Sequence, residues 1–374
     1  MQDSSSGNPT QRWVIKVGSA VLTENGYSLS VPIIASIADQ IASLRATGVE
    51  VVLVSSGAIA AGLGQLGITI RPKRLDQLQA AAAVGQAALM QAYDDAFSPF
   101  QIPLAQVLLT HADIANRERY LNAKNTLRSL LSMNILTVVN ENDTVATDEI
   151  CFGDNDNIAA LVANLVDADV LVLLTDQAGL FDCDPRVNPD AELVRTALAG
   201  DPALTSMASG AGELGSGGML TKLSAAQKAA NSGADTVIAD GRRPKVLIDI
   251  YQGNEVGSRL LAKQRVASRK QWMAGQLHLE GSLSLDNGAV KVIREQGSSL
   301  LPVGVTKVSG DFKRGSLVRC LDEHGNEVAR GLVNYTAKEA AQLIGVRSER
   351  LSERLGYEGD EELIHRDNLV VSAG

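Results

Sequence analysis

Aromatic side chains make up only 3% of this 374-residue chain. Its core must therefore come from Ala, Val, Leu and Ile, which suits a sheet covered by Ala-rich helices better than an all-β protein. Cysteine is scarce too: Cys151, Cys183 and Cys320 are odd in number, far apart and lack metal-ligand spacing. That pattern argues against a disulfide framework and a zinc site, and points to free thiols in a reducing cytosol. Basic residues are outnumbered, with 34 Lys and Arg against 43 Asp and Glu, for a net charge of −9. Nucleic acid is thus a poor main partner for the whole chain, whereas a small phosphorylated ligand needs only a few local donors. Long hydrophobic runs are missing. The stretch Val170 to Leu174 is far too short to span a bilayer. Residues 1–11 are polar, without the basic and apolar regions of a signal peptide. A cytoplasmic protein with a disordered tail over 1–11 and no membrane partner is expected.

The familiar phosphate-binding and calcium motifs are absent or misplaced. No G-x-x-x-x-G-K-[ST] occurs, so this is not a P-loop protein. A G-x-G-x-x-G occurs at Gly62, Gly64 and Gly67, but it begins beyond the strand expected to end near Ser55. It falls within or after a helix rather than at a strand-to-helix turn, and reads as a chance match. The run Asp154-Asn155-Asp156-Asn157 lacks the sixth-position glycine and the closing glutamate of a calcium loop.

What the chain does have is alternation of short apolar, β-branched runs with helical patterns. Strands are expected at Trp13–Val17, Val49–Val54, Pro103–Leu109, Ile135–Val139, Val170–Leu174 and Thr236–Ala239. Helices are expected at Val31–Ala46, Leu75–Phe97, Asn122–Met133, Asn157–Leu165 and Thr221–Ala230. Apolar strands separated by helices imply an α/β fold, a three-layer αβα sandwich around an open, mostly parallel sheet. This region covers residues 12–262. Residues 263–276 are expected as a linker, since Lys263 to Lys270 is basic and polar. Over 277–374, short alternating strands predict a small β-rich domain. Turns are placed at Gly281, Gly288, Gly304, Gly310, Gly315, Gly325 and Gly331, and a helix at Ala337–Leu343.

Five runs fall where strands end or helices begin. In Val14-Ile15-Lys16-Val17-Gly18-Ser19, a lysine sits near the end of a buried strand. Burying an ammonium is costly unless an anion meets it, and Gly18 lets the backbone approach a phosphate. Taken alone, Lys16 would better suit a side chain snorkelling from a strand end. Ser55-Ser56-Gly57 closes a strand and opens a helix whose free N–H groups suit a carboxylate or phosphate; a plain serine cap is the alternative. Val139-Asn140-Glu141-Asn142-Asp143 and Gly153-Asp154-Asn155-Asp156-Asn157 interleave amides and carboxylates. Such a pair suits an amino group and a carboxylate together, where a solvated acidic loop is the default. Leu174-Thr175-Asp176 ends a strand, the place where open α/β sheets bind ligands. Gly215-Ser216-Gly217-Gly218-Met219-Leu220-Thr221-Lys222 reads as a glycine-rich loop running into a helix, with a flexible linker as the alternative. A lysine in a first helical turn opposes the helix dipole, and a bound polyphosphate would resolve that conflict.

Taken in order, and with Ser55-Ser56-Gly57-Ala58-Ile59-Ala60-Ala61-Gly62 and Ala83-Val84-Gly85-Gln86, these runs resemble the amino-acid kinase superfamily over nearly the whole chain. The likeness is greatest to the branch that phosphorylates the side-chain carboxylate of glutamate, the first step of proline biosynthesis. The tail is similar to the PUA domain appended to many bacterial members, a small β-rich barrel. Its matching runs are Gly297-Ser298-Ser299-Leu300-Leu301-Pro302, Gly310-Asp311-Phe312 and His365-Arg366-Asp367. The resemblance implies ATP with Mg²⁺ as donor and L-glutamate as acceptor. It implies that Lys16 and Lys222 hold the ATP phosphates and the transferring group, that Asp156 orients the two lysines, and that Ser56, Asp143 and Asn155 bind glutamate. Thr175 and Asp176 would contact the nucleotide. Ser216, Gly217, Gly218, Met219, Leu220, Thr221 and Lys222 would form a loop over its phosphates. The chain departs by Ser19-Ala20 where Thr-Ser is common, and by Ser216 where Thr is common; a hydroxyl is kept at both. A homo-oligomer (tetramer or dimer), feedback inhibition by proline, and hand-off of the product to the next proline-pathway enzyme are also implied.

A glutamate side chain, with a reference pKa of about 4.3, is already ionised at neutral pH. Its attack needs no general base, which agrees with none of the four histidines falling in the five runs at the strand ends and helix starts. The demand is instead to bring an anion to a triphosphate, by positioning and by neutralising charge. Residues 276–374 carry 12 Lys and Arg against 15 Asp and Glu. RNA binding, a property of PUA domains in other families, is therefore unsupported by charge, and a regulatory or assembly role is expected. Two other readings stand beside this one. One is a superfamily kinase acting on aspartate, N-acetylglutamate or UMP. The other is an RNA-binding or scaffold protein with an inactive kinase fold, against which the joint presence of Lys16, Asp156 and Lys222 speaks.

Overall fold

The computed structural model describes residues 11–24, 26–110, 112–113, 116–146, 155–209, 216–262 and 279–372, which group into two compact units. In the larger, β1 (Arg12–Val17) leads through a turn of helix, α1 (Ser19–Leu22), into a short hairpin, β2 (Thr23–Glu24) and β3 (Ser28–Leu29). Next along the chain come α2 (Val31–Ala46), β4 (Glu50–Val54), α3 (Ala58–Gln65), α4 (Leu75–Phe97), β5 (Leu104–Leu109), α5 (Arg117–Ser132), which belongs to this unit from Ala123 onward, and β6 (Leu136–Glu141). The second half of this unit holds α6 (Asn155–Val166), β7 (Val170–Thr175), β8 (Thr196–Leu198), α7 (Pro202–Ser209), α8 (Ser216–Ala230), β9 (Asp235–Asp240), α9 (Val246–Tyr251) and β10 (Ser258–Leu261). Eight strands form one sheet in the order β5-β6-β4-β1-β7-β9-β10-β8, parallel except where β10 runs against β9.

Period-two alternation along β1 decides what each side chain meets. Trp13, Ile15 and Val17 turn to one face. There they join Ile34, Ile37 and Ile41 of α2, Tyr93 and Phe97 of α4, and Val246 and Leu247 of α9 in one buried cluster. Val14 and Lys16 turn to the other face, where α6 packs on β1 and α8 packs on α6. Each fully buried Val, Leu or Ile contributes about 1.5–3 kcal/mol, so this layered packing fixes where the strand ends lie.

The strands and helices expected from pattern are present, with shifted ends. β6 runs on through Asn140 and Glu141, and α6 begins at Asn155 rather than Asn157. The expected helix over Thr221–Ala230 begins earlier, at Ser216. The misplaced G-x-G-x-x-G has a packing role. A Cβ on Gly62 would lie 1.8 Å from the Ala81 carbonyl oxygen, and one on Gly85 would lie 1.9 Å from that of Ala58. Only glycine lets α3 and α4 cross this closely.

The smaller unit contains a five-stranded sheet in the order β12-β11-β13-β14-β15. Its strands are β11 (Gly281–Leu285), β12 (Val305–Gly310), β13 (Leu317–Leu321), β14 (Glu327–Leu332) and β15 (Leu369–Val371). Its helices are α10 (Asn287–Gln296), α11 (Ala337–Gln342) and α12 (Leu351–Leu355). Helix α10 corrects the expectation that only the segment at 337–343 would interrupt the strands. Asp286 caps it by accepting the Ala289 N–H, and Gly297 closes it with φ 59°. Of the glycines read as turns, Gly315 and Gly325 are at turns with positive φ, and Gly310 ends β12, also with positive φ. Gly281 and Gly331 lie in strands, Gly288 in α10, and Gly304 in a 3₁₀ turn. The linker expected over 263–276 lies outside the described residues, as does Cys151. Cys183 and Cys320 are free thiols. No helix among the described residues is long and apolar enough to cross a membrane.

Candidate active site

Residues from the C-terminal ends of neighbouring parallel strands converge, as open α/β sheets require of a site. Lys16 lies one residue from the end of β1, level with Val54 of β4 and Leu173 of β7. Its side chain is buried, and Nζ meets Asp156 Oδ1 at 2.5 Å. Asp156 belongs to the first turn of α6, where the dipole favours an anion, and is only 1% exposed. Its second oxygen, Oδ2, receives Lys222 Nζ at 3.0 Å and Thr221 Oγ1 at 3.1 Å, both from α8. Burial alone would raise the Asp156 pKa, but the two ammonium groups outweigh it and hold the carboxyl down at about 2. The result is one buried carboxylate with a lysine on each oxygen, a net charge of +1 from three groups drawn from three elements.

The backbone from Ser216 onward is helical, so Ser216 to Lys222 fill the first turns of α8 instead of forming a loop. The run from Met219 consists largely of good helix formers, which extends the helix back towards the glycines. Lys222 is accordingly beyond the first turn, and Asp156 supplies its counter-charge; no bound anion is needed to explain its position. The backbones of Ser216 and Gly217 belong to this helix, while Gly153, Asp154 and Gly215 lie outside the described residues.

Asn155, beside Asp156, donates through Nδ2 to the Ser55 carbonyl and, at 2.7 Å, to Asn140 Oδ1. Ser55 in turn shares a 2.9 Å hydrogen bond with the Tyr93 hydroxyl, both fully buried, and burial drives the Tyr93 pKa up so that the phenol stays neutral. Ser56 precedes α3, and its buried hydroxyl makes no hydrogen bond among the described residues. A buried hydroxyl without a partner costs about 1–3 kcal/mol, a cost that a ligand would relieve. Asp143 lies beyond β6 and is half-buried; burial pushes its carboxyl up to about 6, with the charge of Arg71 acting the other way. Thr175 ends β7, buried, and donates to exposed Asp176 at 3.1 Å. Beyond them a groove is lined by Phe181, Pro185, Met207 and Met219. Thus Lys16, Asp156, Thr221 and Lys222 touch, and Asn155 is tied beside them. Ser56, Asp143, Thr175 and Asp176 make no direct hydrogen bond to that group among the described residues.

Sequence reasoning gives no role to Gln86 or Tyr93, and places Asn140 only within a run suited to the substrate. Asn140 and Gln86 lie in runs that carry the family resemblance, which is the available signal. Tyr93 looks like any core aromatic.

A site with buried charge at the strand ends of such a sheet defines a class, and the sequence falls in it. Residues 11–240 match the model of the Amino acid kinase family, and residues 281–355 match that of the PUA domain. The chain belongs to the amino acid kinase family. Within it, the chain is 58% identical over 363 residues to Glutamate 5-kinase of Thioalkalivibrio sulfidiphilus (strain HL-EbGR7), covering 96% of this chain and 97% of that protein. It is similarly close to Glutamate 5-kinase of Hahella chejuensis (strain KCTC 2396), at 57% identity over 364 residues, 97% of this chain and 94% of that protein.

Proposed function

We propose that this chain transfers the γ-phosphoryl group of ATP to the side-chain carboxylate of L-glutamate, giving L-glutamyl 5-phosphate and ADP, the first step of proline biosynthesis. The observation that carries the reading is the buried Lys16–Asp156–Lys222 cluster, together with high identity to proteins named Glutamate 5-kinase. Kinases of aspartate, N-acetylglutamate or UMP are not favoured by those relatives, and neither is an inactive scaffold.

The acceptor oxygen of glutamate, already anionic, forms a bond to the γ-phosphorus while the bond from phosphorus to the β–γ bridging oxygen breaks, and ADP leaves. No proton has to move. Lys16 and Lys222 neutralise charge on the transferring group. Asp156, ionised at any physiological pH, sets their spacing and keeps them from repelling each other out of the site. Ser56, Asn155 and Asp143 take the amino-acid end of glutamate. Thr175, Asp176 and the groove beyond them take the nucleoside, and α8 meets the phosphates with the free N–H groups of its first turn, Ser216 to Met219, and with Leu220, Thr221 and Lys222 of the next. Among the described residues no three His, Cys, Asp or Glu gather to cage a metal. Mg²⁺ would enter with ATP, on its phosphates, and add to the charge neutralisation there. The product is an acyl phosphate, open to attack by water, which gives closure of the site or hand-off to the next pathway enzyme a chemical motive. Proline as a feedback inhibitor, a dimer or tetramer, a cytoplasmic location and a regulatory or assembly role for the smaller unit complete the proposal.

The test is ADP release from ATP with L-glutamate, in parallel with aspartate, N-acetylglutamate and UMP, with and without proline. Release that depends on glutamate alone supports the reading. Release that depends on another acceptor overturns it.

A further inference from the structure

We infer that Gln86 is a positioning residue, which braces the Asn140–Asn155 amide pair whose direction the backbone sets, so that Asn155 presents an oxygen, not an N–H, to the ammonium group of the substrate. This rests on the proposed function above. Two backbone groups set the direction, because their polarity is not adjustable. The Ser55 carbonyl only accepts, so Asn155 must turn Nδ2 towards it. The Glu141 backbone N–H only donates, and it donates to Asn140 Oδ1 at 2.9 Å. The second hydrogen of Asn155 Nδ2 goes to that same Asn140 oxygen at 2.7 Å. Asn140 is then fixed, and its own Nδ2 must find an acceptor on the far side. That acceptor is Gln86 Oε1, 2.7 Å away.

Three side-chain amides in series are thereby oriented from the backbone. With both Nδ2 hydrogens engaged, Asn155 has only Oδ1 left to offer. An oxygen recognises an ammonium and repels a carboxylate, while the unpartnered hydroxyl of Ser56, next to Ser55 in the chain, offers the complementary donor. A second observation points the same way. Gln86 Nε2 is buried and makes no hydrogen bond among the described residues. A residue kept only to fill space would be apolar and avoid that cost, so the oxygen of Gln86 is what its position requires. The close crossing of α3 and α4 at Gly62 and Gly85 delivers the neighbouring Gln86 to β6.

Steady-state kinetics of the full chain carrying Gln86→Met or Gln86→Glu test this. Gln86→Met keeps length and removes the acceptor. It should raise the glutamate KM about 10-fold or more, the loss expected when a hydrogen bond to a charged group is misaligned, with the ATP KM unchanged. Gln86→Glu restores an acceptor oxygen and should bring the glutamate KM back to within about 3-fold of wild type, since the acceptor is what the chain of amides needs. A wild-type glutamate KM in Gln86→Met overturns the inference, as do equal rises in both KM values. Should Gln86→Met not fold, Gln86→Glu decides alone: a near-normal glutamate KM supports the relay, and a rise of about 10-fold overturns it. Absence of glutamate-dependent ADP release from the unaltered chain would instead overturn the functional reading.

Discussion

In the larger unit, Lys16 and Asp156 are buried as charges at the strand ends, and the Ser56 hydroxyl beside them is buried without a hydrogen-bond partner among the described residues. In the smaller unit, the buried polar side chains Ser316 and Asn334 end on close neighbours within that unit, on Glu280 and the Glu362 carbonyl. The ion pair of Arg314 with Asp360 there is about one-third exposed on each side. These groups of the smaller unit pair within it, although Arg314 Nε is buried without a hydrogen-bond partner among the described residues; in the larger unit Lys16, Ser56 and Asp156 gather at the strand ends, apart from other buried polar groups such as Gln40 and Lys124. Buried charge is weak evidence for stability, because desolvation offsets the attraction. Its presence at converging strand ends is better explained by chemistry than by folding.

The contrast can be broken experimentally, beginning with the largest effect. Asp156→Ala strands two ammonium groups, Lys16 in a buried site, and should cost about 3–5 kcal/mol in denaturant unfolding of the larger unit, besides abolishing turnover. An unchanged unfolding midpoint would mean that the cluster is solvated in solution. Lys222→Ala should lower kcat by about 10²–10³-fold with a far smaller change in the glutamate KM. Near-normal turnover would remove Lys222 from the mechanism.

Asp143→Ala should raise the glutamate KM by about 10-fold or more, as for loss of a charge-assisted contact. The same residue sets a pH dependence. Its carboxyl is pushed up to about 6 by burial, so it is mainly ionised at pH 7 and loses its charge as pH falls through 6. The glutamate KM should therefore rise below pH 6 in the unaltered chain, and Asp143→Asn should flatten that rise. In the smaller unit, Thr336 and Glu339 form a reciprocal capping box on α11. Thr336→Ala should cost about 1 kcal/mol and leave kinetics unaltered. The smallest effect is expected from deleting residues from about 276 onward, which should leave catalysis intact. A folded truncation without activity would place the smaller unit in the catalytic machinery.

Much of this arrangement is legible in the chain. Strands such as Val170–Thr175 announce themselves because both faces are covered and nearly every residue is apolar. Lys16, Asp156 and Lys222 stand out because charge at such places is costly. The helix at 287–296 escapes a pattern reading although its cap is written in Asp286 and Gly297; Gly288 inside it looks like a turn. The first turns of α8 look like a loop because Gly217 and Gly218 are poor helix formers, yet the stronger helix formers from Met219 onward outweigh them.

The sequence by itself determined the layers of the larger unit and which residue types would gather at its strand ends, because period-two and period-3.6 patterns are local properties of the chain. Tertiary structure alone decided that Lys16 and Lys222, about 200 positions apart, would share the two oxygens of one carboxylate. It also decided which way the amides of Gln86, Asn140 and Asn155 turn. Those orientations depend on a carbonyl of Ser55 and an N–H of Glu141 brought within reach by strand pairing, and no local pattern encodes the direction of a hydrogen bond between distant segments.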